Sequence, residues 1–264
     1  MATIQKRDPQ ISVIILNYNT DEMTLNLLKS LGTDSDYEII LINNSEQNTL
    51  ENTVKKRFSN VRYFFLGKNV GFAGGVSYGI ERAIGEWIAI LNSDTEVNEN
   101  ALQKLVAIAV KEQFQIAAPK IFYKNGTVQN NVGNFDRILQ HPISWLLARP
   151  RFIDCSSVDR NKSVDFATAA CLVIHSSVFR TIGMFDAENF FMYFEDVDFS
   201  YRLYKKHISI LFVPEVSIIH YEGASANQIP AMKNLRYSKG LFNYIKKHRG
   251  ILVATLNNLL KLFQ

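Results

Sequence analysis

This 264-residue sequence predicts an α/β fold: a mostly parallel central sheet with helices on both faces, closed by C-terminal amphipathic helices. Three observations carry that expectation. The strand-like runs are continuously apolar rather than alternating, the pattern of strands buried on both faces. Helix-like segments separate those runs, as parallel neighbours require. Short clusters of Asn, Ser and Asp follow the runs, at the sheet edge where ligands of such folds collect.

The first run, residues 11–16, leads into Asn17-Tyr18-Asn19 and a helix over about 21–31. The second, 38–42, leads into Asn43-Asn44-Ser45 and a helix over 50–58. The third, 61–65, precedes a helix over 73–84, and the fourth, 86–91, ends at Asn92-Ser93-Asp94. The second half is less regular. Residues 125–134 read as turns, and 135–162, with Pro142 and Pro150 and little periodicity, as a mobile loop over a site. Order is expected again over 164–174, in helices near 176 and over 196–206, and in a strand over 208–213, with 213–219 also strand-like. Two amphipathic helices, about 231–248 and 251–263, are expected at the end. The reading is therefore one α/β domain over 1–226 and a basic helical extension over 227–264.

Bulk composition is that of a globular protein, 47% hydrophobic and 20% charged. Cys155 and Cys171 make no metal-type pair, and the polar start has no signal-like run, so a cytoplasmic setting is expected. No apolar run reaches the roughly 18 residues a membrane-spanning helix needs. Net charge is +4, but seven lysines and arginines follow Glu222 with no acidic residue among them, leaving 1–222 at −3. A basic tail on an acidic body suggests that the tail faces something anionic. Its charge alone is too little for nucleic-acid binding.

Asp94, directly after a buried strand, is placed to hold Mg²⁺ or Mn²⁺ against a diphosphate; a plain polar turn is the competing reading. Glu195-Asp196-Val197-Asp198 follows the aromatic run Phe190 to Phe194. Acidic residues at a helix start are commonly caps, yet an aromatic wall also raises a carboxyl pKa and suits a general base. His220, after a strand-like run, could complete a metal's coordination. The glycines of Gly71-Phe72-Ala73-Gly74-Gly75 let backbone approach a ligand closely or make a tight turn. They do not form the dinucleotide fingerprint, which disfavours a nicotinamide oxidoreductase.

The order of these segments resembles family 2 glycosyltransferases, within them the rhamnosyltransferase-like branch. The carrying motifs are Ser12 to Asn19, Ile42 to Ser45, Asn69 to Gly75, Leu91 to Thr95, Gly183 to Asp186, Phe191 to Asp198 with Arg202, and His220 with Gly223 and Ser225. The resemblance implies a GT-A fold, Rossmann-like in its sheet, and an inverting, metal-dependent transfer of a sugar from a nucleotide diphosphate. By that resemblance Asn17, Asn19, Asn43 and Ser45 line a nucleoside pocket, and Asn69, Gly71 and Phe72 lie along the donor. Asn92 and Ser93 precede the metal carboxylate Asp94, and His220 is the additional metal ligand. Asp196 is the general base beside Glu195, and Arg202 orients the site. Two positions depart from the pattern: Asn43 stands where the family usually has Asp, and Asn92 opens the metal motif without a charge.

The branch favours dTDP-L-rhamnose as donor over a UDP-hexose or UDP-N-acetylhexosamine, and a lipid-linked saccharide of O-antigen or capsule synthesis as acceptor. The tail then reads as a peripheral contact with an anionic membrane. The alternative is packing on the catalytic domain or on the second subunit of a homodimer. From another class, a GT-A module that binds nucleotide or carbohydrate without catalysis has Asn43 and Asn92 in its favour and Asp94, Asp196 and His220 against it. A nucleotidyltransferase would need a glycine- and lysine/arginine-rich phosphate loop that Asn17 to Asn19 does not supply.

Overall fold

The computed structural model describes residues 11–32, 37–98, 100–135, 150–221 and 230–261. Four strands and three helices alternate first: β1 (Ile11–Asn17), α1 (Asp21–Ser30), β2 (Glu38–Asn43), α2 (Glu51–Arg57), β3 (Val61–Phe65), α3 (Gly71–Ile80) and β4 (Trp87–Asn92). β1 pairs in parallel with β2 and β4, and β2 with β3. The short β5 (Thr95–Val97), α4 (Ala101–Lys111) and β6 (Ile116–Phe122) follow. The apolar patterning above does not single out α4 or β6.

Residues 125–134 are not all turn: β7 (Val128–Gln129) pairs with β6, and β8 (Val132–Phe135) begins a small second sheet. Of the expected mobile loop, 136–149 lie outside the described residues. The remainder carries β9 (Pro150–Phe152), a 3-10 turn at Cys155–Ser157 and β10 (Lys162–Val164). Then come β11 (Phe166–Ala167), β12 (Cys171–His175), α5 (Ser177–Ile182), α6 (Glu195–Lys205) and β13 (Ile210–His220). α7 (Pro230–Arg249) and α8 (Ile251–Lys261) close the chain. No helix among the described residues is long and apolar enough to cross a membrane.

The main sheet runs β10-β13-β6-β12-β4-β1-β2-β3. It is parallel through β4 and again between β6 and β13, but β12 inserts antiparallel to both β4 and β6. β13 passes Pro214 by shifting register between Val213 and Ser217, so one strand continues to His220. A bulge is where a sheet tolerates a proline.

The period-2 pleat of β1 sorts the core. Val13 and Ile15 meet Leu27 and Leu28 of α1 and Leu102 and Leu105 of α4 on one face. Ile14 and Leu16 meet Ala73 and Val76 of α3 and Phe199 and Leu203 of α6 on the other. A third cluster joins Phe190, Phe194 and Tyr201 to Leu241, Tyr244 and Ile245 of α7, all three with no exposed surface. Burying three large side chains contributes roughly 5–9 kcal/mol of gross hydrophobic stabilisation, enough to hold α7 against the body.

Candidate active site

β4 delivers Asn92 to the carboxyl edge of the sheet, and Ser93-Asp94 turn the chain into β5. β5 pairs antiparallel with the far end of β13, with His220 opposite Thr95. The Tyr221 amide donates to the Asp94 carbonyl at 2.9 Å. This register brings His220 Nε2 to 3.3 Å from Asp94 Oδ1, both side chains buried.

The hydrogen bonds define the ring. His220 Nδ1 lies 3.0 Å from Gln129 Oε1, to which it donates, and Asn92 Nδ2 lies 3.4 Å from Nε2. Nε2 therefore presents its lone pair beside a carboxylate oxygen. An imidazole nitrogen and a carboxylate oxygen this close are placed to share a bound cation. The second partner on Nδ1 is how metal-ligating histidines are oriented. One carboxylate and one imidazole fit a divalent ion that takes the rest of its shell from water and phosphate oxygens. No group of three or more His, Cys, Asp or Glu side chains forms a closed protein cage among the described residues.

Across the cleft, Tyr193 and Phe194 both take φ of 70°. Left-handed backbone at two consecutive aromatic residues is strained, and such strain persists only where packing over-determines it. Phe194 is locked in the third core cluster. The turn sets Glu195 and Asp196 at the start of α6, facing the opening. Asp196 accepts from the Val197 amide at 2.8 Å and from the Ala169 amide. Burial nonetheless outweighs those bonds and pushes its carboxyl up to about 6. Glu195 is raised well above its usual range, first by burial and then by Asp196 beside it. Its Oε2 is buried without a hydrogen-bond partner. Two adjacent buried carboxyls each disfavour the other's charge, so the pair holds its protons more tightly than either would alone.

Between the two corners lies a cleft of about 250 Å³. Of the residues singled out in the sequence it is lined by Phe72, Asn92, Asp94, Glu195, Asp196 and His220. Asn17 and Asn43 do not line it: both have no exposed surface. Asn17 Oδ1 accepts from Thr20 and Thr24, and Asn43 Oδ1 accepts from Asn17 Nδ2 and the Ser45 amide. Asn43 Nδ2 donates to Tyr63 Oη at 2.9 Å. These amides are used up in shaping the loops after β1 and β2. Asn19, exposed on its loop, donates its amide to Ser45 Oγ, and Ser93 Oγ meets Thr20 Oγ1 at 2.7 Å. Asn69 Oδ1 accepts from Asn44 Nδ2 and the Gly71 amide.

The close approach at Gly71 is filled by protein. A Cβ there would lie 2.2 Å from the Phe191 carbonyl oxygen, which accepts from the Phe72 amide at 2.7 Å. With φ at 78° as well, only glycine fits. Arg202 does not reach the cleft either. Its guanidinium donates to Asp198 and to the Ile182 and Met184 carbonyls, all within 2.8 Å, so its role is to tie α5 to α6. The cleft also uses Gln129, Thr168 to Ala170, Met192, Tyr193 and Lys233. Gln129 sat in a stretch read as turns, and Lys233 carried only the general signal of a basic tail.

Residues 12–182 match the model of glycosyl transferase family 2. The chain belongs to that family. A Haloferax volcanii protein named low-salt glycan biosynthesis hexosyltransferase Agl10 is 29% identical over 214 residues, 80% of this chain and 66% of that one. A Mycobacterium tuberculosis N-acetylglucosaminyl-diphospho-decaprenol L-rhamnosyltransferase is 23% identical over 242 residues, 84% of this chain and 78% of that one. Relatives of that kind place this family 2 chain in the rhamnosyltransferase-like branch. The crystal structure of GalNAc-T7 with UDP, GalNAc and Mn²⁺ superposes with a TM-score of 0.68 at 18% identity, covering 90% of this chain and 48% of that one. The fold is GT-A. The chain spans about two thirds of the haloarchaeal relative's length and about half of GalNAc-T7.

Proposed function

We propose that this family 2 glycosyltransferase is an inverting, metal-dependent hexosyltransferase whose general base is Asp196. The observation that carries the proposal is the opposition, across one cleft, of a carboxyl raised to about 6 and the Asp94–His220 pair. A base of that pKa is ionised at neutral pH yet basic enough to accept a proton from a sugar hydroxyl. Asp196 takes the acceptor's proton, the acceptor oxygen bonds to the anomeric carbon, and the carbon–oxygen bond to the nucleotide diphosphate breaks with its electron pair on that oxygen. A single in-line displacement inverts the anomeric centre. Asp94 and His220, with Asn92 beside them, are the residues that would hold Mn²⁺ or Mg²⁺, which when bound stabilises charge on a departing diphosphate.

The nucleoside rests against the loops after β1 and β2, where Asn19 and Ser45 meet, on a frame held by Asn17 and Asn43. Asn69, Gly71 and Phe72 set the donor side of the cleft. Glu195, its carboxyl raised by burial and by Asp196 beside it, lies within reach of a sugar hydroxyl in the cleft. The donor is dTDP-L-rhamnose and the acceptor a lipid-linked saccharide, a reading supported by the decaprenol-linked rhamnosyltransferase among the relatives. The hexosyltransferase name of the haloarchaeal relative and the UDP of GalNAc-T7 favour a UDP-hexose as the second reading.

Thermal stabilisation by dTDP, UDP and GDP, each with and without Mn²⁺, tests this directly, because a ligand of the native state raises apparent stability by mass action. A manganese-dependent shift largest for dTDP is expected. A larger shift for UDP replaces the donor, and no shift with any nucleotide diphosphate sinks the catalytic reading.

A lipid-linked acceptor places the enzyme peripherally on the inner face of the cytoplasmic membrane. α7 and α8 expose Leu235, Ile251, Leu252, Leu256 and Leu259, with Lys239 and Lys246 also exposed. Apolar and basic residues together suit an anionic interface. The protein should float with anionic vesicles and not with neutral ones; failure to float with either removes the membrane contact.

A further inference from the structure

We propose that Lys233 binds the donor's diphosphate in the cleft and neutralises it as it leaves, a role that rests on the glycosyltransferase reading above. Lys233 comes from α7, well beyond the residues 12–182 that match the family model, and lines the same cleft as Asp94 and His220. Among the described residues of that lining it is the only lysine or arginine, and it shares the cleft with three carboxyl groups: Asp94, Glu195 and Asp196.

Charge balance asks for such a residue. The cation corner supplies one carboxylate and one neutral imidazole, so a divalent ion there keeps a net charge of only one against a multiply charged leaving group. An ammonium on a flexible stem, with three donors, is suited to follow phosphate oxygens as their charge grows.

The packing of α7 keeps Lys233 there. Near its start, Arg236 lies over the Phe191 ring at 5.0 Å. At Gly240 a Cβ would be 2.8 Å from the Tyr193 carbonyl oxygen, so the helix passes tightly over the turn that sets the carboxyls. Near its end, Lys247 pairs with Asp186 and Asp198 at 2.7 Å each, and His248 meets Asp198 at 2.8 Å. One helix is thus pinned to the base-bearing α6 at one end and reaches the cleft at the other.

Calorimetric titration of the whole chain with Mn²⁺ present, using dTDP, UDP, thymidine and uridine, tests the assignment. Lys233→Met should weaken the better-bound nucleotide diphosphate about 10- to 100-fold, the value of one hydrogen bond to a charged group. The matching nucleoside should bind as before, and Lys233→Arg should recover most of the loss. Unchanged diphosphate affinity in the Met variant overturns the proposal, as does an equal loss for the nucleoside, which would mean a deformed site. A loss confined to the KM of a diphosphate-lipid acceptor also overturns it, by giving the cation to the other substrate. If the wild-type protein binds neither dTDP nor UDP, the glycosyltransferase reading fails first and this one falls with it.

Discussion

Asp196 and Asp198 occupy the same turn of α6, two residues apart, and point to different surroundings. Asp196 faces the cleft and accepts from backbone amides, but burial dominates and its carboxyl rises to about 6. Asp198 faces α7. Burial pushes it up too, but His248, Arg202 and Lys247 more than reverse that, and it falls to about 2. The same side chain is therefore kept reactive on one side of a helix and permanently charged on the other. The choice is made by what packs opposite, in the second case a helix from the end of the chain.

The largest effect that could break this comparison is on turnover. Asp196→Asn should lower it at least about 10²-fold, the usual cost of a lost general base, with donor binding nearly intact. In the wild-type protein kcat/KM should rise with pH through about 6, and the variant should lack that limb. Normal turnover in the variant would show that Asp196 is not the base.

Next in size is the stability of Asp198→Asn. It leaves Arg202, Lys247 and His248 around a buried neutral amide, a loss of about 3–5 kcal/mol by urea unfolding at pH 7. Because the folded pKa of Asp198 lies below the unfolded one, its contribution is fully present above about 4 and disappears as pH falls towards 2. The difference between the two proteins should close over that window.

The smallest effect has the opposite sign. The folded pKa of Asp196 lies above the unfolded value, so its ionisation opposes folding, fully above about pH 6 and not at all below about 4. Asp196→Asn should therefore melt higher at pH 7, by at most about 3 kcal/mol, with the gain vanishing near pH 4. A lower melting temperature at pH 7 would mean that the carboxylate is anchored by its amide bonds rather than held in tension.

Much of this was legible in the sequence because the signals were local. Continuous apolar runs and intervening helices gave β1 to β4 within a residue or two. Asp94, Asp196 and His220 stood out by type and order, and all three line the cleft. What stayed hidden depends on pairing at a distance. The antiparallel insertion of β12 cannot be told from a parallel buried strand by composition. Gln129 becomes visible only when β7 pairs with β6 and brings it to His220. Asn17, Asn43 and Arg202 lie in motifs that border the site, yet their hydrogen bonds are spent inside the protein. A polar residue beside a site reads the same in sequence whether it faces the ligand or holds the loop that does.

The pairing of β5 with the end of β13 also fixes when the enzyme can exist. Translation reaches Asp94 early, and β1 to β4 can pair soon after, but His220 arrives with a strand that must enter between β6 and β10. Asp196 follows the family-matched segment, and α7 is made later still. A nascent chain thus carries the loops after β1 and β2 before it carries Glu195, Asp196 and His220. The opposition of Asp94 and Asp196 is complete only once β13 has paired with β5 and α7 has docked on α6.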